Sequence, residues 1–138
     1  MKDSSMQPLS GLLVLDFTTL LPGPLATLML AEAGAEVIKI ERPGGEDMRR
    51  FPPLKDGESA VYAMLNRGKQ GLTLDLKTAA DRERLKPLIA RADIVVEQFR
   101  PGVMARLGLG YGDMRKANPK IIYCSISRVN RPAPSSCR

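Results

Sequence analysis

The segment from Leu12 to Arg50, LLVLDFTTLLPGPLATLMLAEAGAEVIKIERPGGEDMRR, constrains this chain more than any other part of it. Its first residues, Leu12 to Phe17, form a near-continuous apolar run interrupted only by Asp16 and bounded by Gly11 and the Thr18-to-Pro24 loop. Such a run is what a parallel strand covered on both faces requires. A helix is expected from about Pro24 to Ala33, with Gly34 as its left-handed cap. A second strand follows from Val37 to Glu41, and Pro43-Gly44-Gly45 ends it. In open α/β sheets, ligands bind outside the carboxyl ends of the strands, so Asp16 to Pro24 and Glu41 to Arg50 are the first places to look for chemistry.

Residues 46 to 70 are polar and turn-rich, with Pro52-Pro53 and Asp56-Gly57, and leave room for a short helix over Ser59 to Leu65. The alternation from Leu72 to Leu76 predicts a third strand. Thr78 with Asp81 reads as a capping box for a helix that continues to about Ala90, its last turn kinked or shortened by Pro87. Ile94 to Glu97 gives a fourth strand, Val103 to Leu107 and Gly112 to Ala117 give short helices, and Ile121 to Ser127 a fifth strand. Strands alternating with helices imply a doubly wound α/β fold, a mostly parallel sheet with flanking helices and right-handed crossovers. With 138 residues, one domain is the ceiling. Residues 1–127 form that unit, and the last eleven, RVNRPAPSSCR, hold three arginines, two prolines, no acid and one large apolar residue, Val129, a composition that cannot extend the sheet.

Lys and Arg outnumber Asp and Glu by 21 to 15, a formal charge of +6 that favours an anionic partner such as a nucleotide, a phosphorylated cofactor or a nucleic acid. Nucleic acid is disfavoured, because aromatic residues are only 4% of the chain and the cations are dispersed instead of forming a stacking stripe. Stretches such as Asp81-Arg82-Glu83-Arg84 read as a solvated helix face. The sequence contains no histidine, which removes His-based nucleophile pairs and His-containing metal sites. Two cysteines, Cys124 and Cys137, lack metal spacing, and Cys124 is expected to be a small core residue of its strand. No apolar stretch approaches the roughly 20 residues that span a bilayer, and MKDSSMQPLSG is polar where a secretory signal is apolar. The expectation is a soluble, cytoplasmic protein with no metal and no membrane partner.

The predicted strand ends carry Leu20, Leu21 and Pro22 after the first strand, Arg42 after the second, and Leu74, Asp75 and Lys77 around the third. Gln98, Phe99 and Arg100 follow the fourth, with Arg106 one or two turns onward. Cations with one aromatic ring at a shared sheet edge suit a ligand that has several phosphates and a purine, while surface Arg and Lys that merely solubilise these loops fit the spacing equally well. A dinucleotide loop is missing, since TTLLPGPLAT holds the single glycine Gly23 in place of G-x-G-x-x-G, and Glu41 is then poor evidence for ribose binding. Gly68-Lys69 does not satisfy the phosphate-loop pattern either. Asp16 reads as a cap on the following loop in preference to a catalytic carboxylate. Glu46-Asp47 beside Arg49-Arg50 reads as a solvated, salt-bridged loop.

Five blocks, PLSGLLVLDFTTLLPGP, LAEAGAEVIKIERPGGEDMRR, LNRGKQGLTLDLKT, ADIVVEQFRPGVMARLGLGY and NPKIIYCSIS, cover nearly everything from Pro8 to Ser127. In order and spacing they resemble the N-terminal part of the family III CoA-transferases, the CaiB/BaiF group that includes formyl-CoA transferase and α-methylacyl-CoA racemase. The resemblance implies a Rossmann-like large domain, incomplete here, that binds coenzyme A along its strand ends inside an interlocked homodimer. Carried over by position, the coenzyme A contacts are Leu21, Pro22, Arg42, Leu74, Asp75, Leu76, Lys77, Gln98, Phe99, Arg100 and Arg106. It also implies an acyl-CoA donor, a carboxylic acid acceptor and a nucleophilic aspartate downstream of Ile121 to Ser127. Leu21 stands where formyl-CoA transferases place an active-site glutamine, which weakens that substrate assignment.

After CSIS the family continues with a Gly-rich loop such as G-x-G-x-x-G-P, where this sequence reads RVNRPAPSSCR. The expectation is therefore an inactive coenzyme-A-binding fragment whose tail from Arg128 is out-of-frame translation or a premature end. The rivals are a fragment of the racemase branch and a non-enzymatic basic nucleotide-binding module.

Overall fold

The computed structural model describes residues 7–127. In chain order the elements are β1 (Leu13–Asp16), α1 (Pro22–Glu32), β2 (Glu36–Glu41), a 3₁₀ turn (Asp47–Arg50), β3 (Leu54–Lys55), β4 (Glu58–Ser59), α2 (Ala60–Leu65), β5 (Gln70–Thr73), α3 (Ala79–Arg91), β6 (Ile94–Glu97), α4 (Val103–Arg106), α5 (Tyr111–Ala117) and β7 (Ile122–Ser125). Five strands form one sheet in the order β5-β2-β1-β6-β7. All of its pairs are parallel. The chain winds outward from β1 through β2 and β5, then crosses to β6 and β7. The expected α/β architecture is present, and its topological switch point lies between β1 and β6.

Strand alternation sends side chains to two different interiors. Leu13, Leu15 and Phe17 join Ile38, Ile40, Val95, Leu85 and Ile89 in the larger core, which α3 covers. Val14, Val37 and Val96 pack with Ala35 and Leu30 in a smaller core under α1. On this second face the pattern changes along each strand. Val14 is followed by Asp16, and Val37 by Lys39 and Glu41, all buried. The face is therefore apolar toward the amino ends of the strands and charged toward their carboxyl ends.

Local chemistry accounts for the helix limits. Helix α1 begins at Pro22, two residues before the expected Pro24, because a first-turn proline lacks only an N–H that would have no partner there. Gly34 follows its end at φ +107°, as the expected left-handed cap requires. Ser59 Oγ accepts from Tyr62 N at 3.2 Å to start α2. Thr78 Oγ1 accepts from Asp81 N at 3.3 Å to start α3. The Asp81 carboxylate, however, accepts from Asp75 N at 2.8 Å, so the expected capping box is only half formed and its acid anchors the loop after β5. Pro87 lies inside α3, which runs through it to Arg91.

Two expectations are corrected, and a hairpin without a sequence signal is added. The third large-sheet strand is Gln70–Thr73, two residues earlier than Leu72 to Leu76. Leu72, Leu74 and Leu76 still face one core, but Asp75 Oδ1 accepts from Lys77 N at 3.0 Å and turns the chain away from the ladder. The hairpin β3–β4 around Asp56-Gly57 is too short to leave a periodic signal. Cys124 is exposed, not buried, because β7 is the edge strand and its Ile122 is likewise 61% exposed. The expected tail from Arg128 lies outside the described residues. No helix among the described residues is long and apolar enough to cross a membrane.

The two sides of this fold should respond differently to truncation. Leu85 is fully buried and Met29 is 65% exposed on α1. Leu85→Ala is expected to cost about 2–5 kcal/mol, and Met29→Ala about 0.5 kcal/mol or less. Urea unfolding checks this, and equal losses would contradict the assigned packing.

Candidate functional site

Parallel pairing places every predicted site loop at one edge of the sheet, the carboxyl edge. Leu21 is the N-cap of α1 and Pro22 its first residue, both exposed. Arg42 follows β2, with Nε donating to the Gly45 carbonyl at 3.0 Å and Nη2 to Asp47 Oδ1 at 2.6 Å. Leu74, Asp75, Leu76 and Lys77 follow β5. Leu74 is 1% exposed, so its side chain belongs to the core and its backbone alone borders the edge. Gln98, Phe99 and Arg100 follow β6, and Arg106 ends α4. Phe99 packs on the larger core and donates its N–H to Glu97 Oε2 at 2.8 Å.

The cations differ in their commitments. Among the described residues, Lys77, Arg100 and Arg106 form no ion pair with an acid, while Arg42 and Arg50 share Asp47. All are exposed. Gln98 bridges the switch point, with Nε2 donating to the Thr19 carbonyl at 2.7 Å. Gly23 permits this closeness, since a Cβ there would sit 2.2 Å from Thr18 Cβ and 2.4 Å from Gln98 Oε1.

Beneath this edge lies a buried charged layer. Asp16 Oδ1 accepts from Thr18 N at 2.8 Å and from the Thr18 hydroxyl, and Oδ2 accepts from the Thr27 hydroxyl and from Lys69 Nζ at 3.1 Å. Asp16 thus caps its loop as expected, and its full burial leaves no face from which to attack a substrate. Lys69 Nζ also donates to Pro24 O, Thr27 Oγ1 and Asn66 Oδ1. Burial pushes the Lys69 pKa down, and the Asp16 carboxylate opposes that shift. Lys39 Nζ lies 2.7 Å from Glu46 Oε2, with side chains 1% and 2% exposed. The expected solvated loop is therefore correct for Asp47 and wrong for Glu46, which the buried Lys39 draws inside.

Glu41 accepts from Arg49 through both oxygens at 2.8 Å, from the Tyr62 hydroxyl, and from Glu46 N at 3.1 Å. Arg49 also lies 4.0 Å from the centre of the Tyr62 ring. Burial raises the Glu41 pKa, but the hydrogen bonds from Arg49, Tyr62 and Glu46 N more than offset it, giving about 2 against 4.5. Burial and the neighbouring Glu41 carboxylate raise the Tyr62 pKa. A cavity of about 240 Å³ opens between Lys39, Arg49, Tyr62, Asn66 and Lys69. Its three cations are each already paired with an acid, so this space is not an anion receptacle.

Sequence reasoning missed Lys39, Glu46 and Lys69. Lys39 carried a signal, since a lysine inside VIKIE is a charge in a buried strand and demands a partner. No local pattern marks Lys69. Among the described residues, no group of three or more His, Cys, Asp or Glu is arranged to hold a metal ion.

Comparison with known proteins adds to this geometry. The family model of CoA-transferase family III matches residues 9–137, continuing past Ser127. An acetyl-CoA:oxalate CoA-transferase of Acetobacter aceti is 43% identical over 92% of this chain and 33% of its own length. A succinyl-CoA:glutarate CoA-transferase of Mus musculus is 43% identical over 97% of this chain and 31% of its own. The crystal structure of Rv3272 from M. tuberculosis superposes with a TM-score of 0.85 at 43% identity, covering 96% of this chain and 38% of that one. A CAIB/BAIF family protein from Brucella suis gives 0.81 at 39% identity, covering 86% and 33%. The chain spans about a third of the length of the curated relatives it matches.

The depressed Glu41 pKa has a pH signature. Because the folded value lies below the unfolded one, ionised Glu41 stabilises the fold fully above about pH 4.5, and that contribution is lost as pH falls through about 2. Glu41→Gln should therefore be destabilised at about pH 6, with its deficit relative to wild type narrowing at about pH 3. Denaturant unfolding at both pH values checks this, and a constant deficit would contradict the assignment.

Proposed function

The chain belongs to CoA-transferase family III, and on that premise we propose that its carboxyl edge is the coenzyme A site of an enzyme that moves coenzyme A from an acyl-CoA to a carboxylic acid. The supporting observation is the set of exposed cations at successive strand ends, of which Lys77, Arg100 and Arg106 have no acidic partner among the described residues. Coenzyme A presents a pyrophosphate and a ribose phosphate, which guanidinium groups pair through charge-assisted hydrogen bonds, and a purine on which they stack. Arg42, Lys77, Arg100 and Arg106 would hold the nucleotide end, with Leu21, Pro22, Gln98 and Phe99 bordering the switch-point crevice. A dinucleotide fits less well. Glu41, the acid that would meet a ribose, is already committed to Arg49, and the first loop lacks the glycines that admit a pyrophosphate.

In the proposed reaction an aspartate carboxylate attacks the thioester carbonyl, forming a mixed anhydride and releasing the coenzyme A thiolate. The thiolate then attacks the aspartyl carbonyl, and the acyl group leaves as its carboxylate. The acceptor carboxylate next attacks the aspartyl thioester, forming a second mixed anhydride and releasing the thiolate again, and the thiolate attacks the acceptor carbonyl to give the new acyl-CoA and free the aspartate. Asp16, at the end of the central strand, is unsuited to this step, being buried and fully engaged. We assign the nucleophile to a part of the family-length chain beyond the described residues, acting in an interlocked homodimer.

Arg100→Ala tests the reading cleanly, because no ion pair among the described residues is lost with it. Removing one charge-assisted contact worth about 1.5–3 kcal/mol should weaken coenzyme A binding about tenfold or more. Titration calorimetry of wild type and variant reads this. Equal affinities, or wild-type NAD binding as tight as coenzyme A binding, would overturn the proposal.

A further inference from the structure

We infer that Lys39 and Glu46 are positioning residues, a buried clamp that fixes the backbone of Thr18 to Leu20 at the switch point and so holds the crevice in the form that receives its ligand. The inference rests on the reading of the carboxyl edge as the coenzyme A site. Both members of the pair spend a second contact on the same short segment. Lys39 Nζ donates to the Thr18 carbonyl at 2.9 Å, and Glu46 Oε1 accepts from Leu20 N at 3.2 Å. Gln98 holds the intervening Thr19 carbonyl from the other side of the crevice. Three consecutive residues are thus tied to β2, to the loop after β2 and to the loop after β6.

The segment needs such a restraint. Leu20 has φ +64°, a left-handed backbone conformation that a leucine does not adopt without support. Leu20 and Leu21 are 37% and 52% exposed, so burial of their side chains does little to hold them. A buried ion pair is in itself a poor source of stability, and two apolar side chains of similar volume would serve the core as well. Positioning gives the pair a role that apolar side chains lack, since gripping a carbonyl and an N–H two residues apart takes a donor and an acceptor.

That difference sets the test. A single substitution leaves an uncompensated buried charge, so the pair is replaced together. Lys39→Met with Glu46→Leu removes both contacts that the pair makes to the segment, whereas Lys39→Met with Glu46→Gln keeps an acceptor for Leu20 N. In the wild-type chain the Leu20 amide should exchange with solvent as slowly as the ladder amides of β2, although it lies in a loop. This measurement needs no variant. Exchange at the rate of an open loop overturns the clamp. In the Met/Leu variant that amide should exchange faster. If the competent form of the crevice falls to about a tenth of the population, coenzyme A affinity falls about tenfold. The Met/Gln variant should retain affinity within about threefold, a population shift well under one decade. Met/Leu binding equal to wild type overturns the clamp alone. No binding by the wild-type chain overturns the reading of the site, and the ligand role of the clamp with it.

Discussion

Two lysines buried under a parallel sheet organise this structure. A charged ammonium removed from water persists only with a close counter-ion and with its remaining donors satisfied. Lys39 and Lys69 therefore draw Glu46 and Asp16 into the interior, and with them the loops that follow β1 and β2. Asp16 and Lys39 are register partners across β1 and β2, and Lys39 and Gly71 across β2 and β5, so this layer crosses the sheet in one row. Its cost is met where the apolar alternation of the strands ends, directly below the carboxyl edge. The carboxyl edge is consequently anchored from beneath by ion pairs, while its exposed Lys77, Arg100 and Arg106 form no ion pair among the described residues.

The division of labour among the cations follows from this. Lys39, Lys69 and Arg49 are consumed by Glu46, Asp16 and Glu41. Lys77, Arg100 and Arg106 stand on loops that emerge from the strands into solvent and meet no acid among the described residues. Net charge, +6 for the whole sequence, says nothing of this separation. It arises because the parallel sheet sends alternate residues inward and every following loop to the same edge.

Much of the fold was legible because Leu12 to Phe17, Val37 to Glu41 and Ile94 to Glu97 carry the apolar density that buried strands require. The β5 register was less so, since Leu72, Leu74 and Leu76 alternate as a strand does while only the first of them lies within Gln70–Thr73. Cys124 shows the same limit, because an apolar strand pattern does not reveal that the strand is an edge. For the site, the loops were readable from strand ends, but the partners were not. Glu46 and Asp47 look alike in sequence, and only the tertiary approach of Lys39 buries one and leaves the other in water.

The central claim, that coenzyme A binds across the carboxyl edge, is tested most directly by mapping amide chemical shifts of the chain as coenzyme A is added. The account predicts that shifts concentrate at 20–22, 42, 74–77, 98–100 and 106, the segments after β1, β2, β5 and β6. Shifts confined to the opposite edge, around Gly11, Ala35 and Asp93, or no shifts at a saturating concentration, would contradict it.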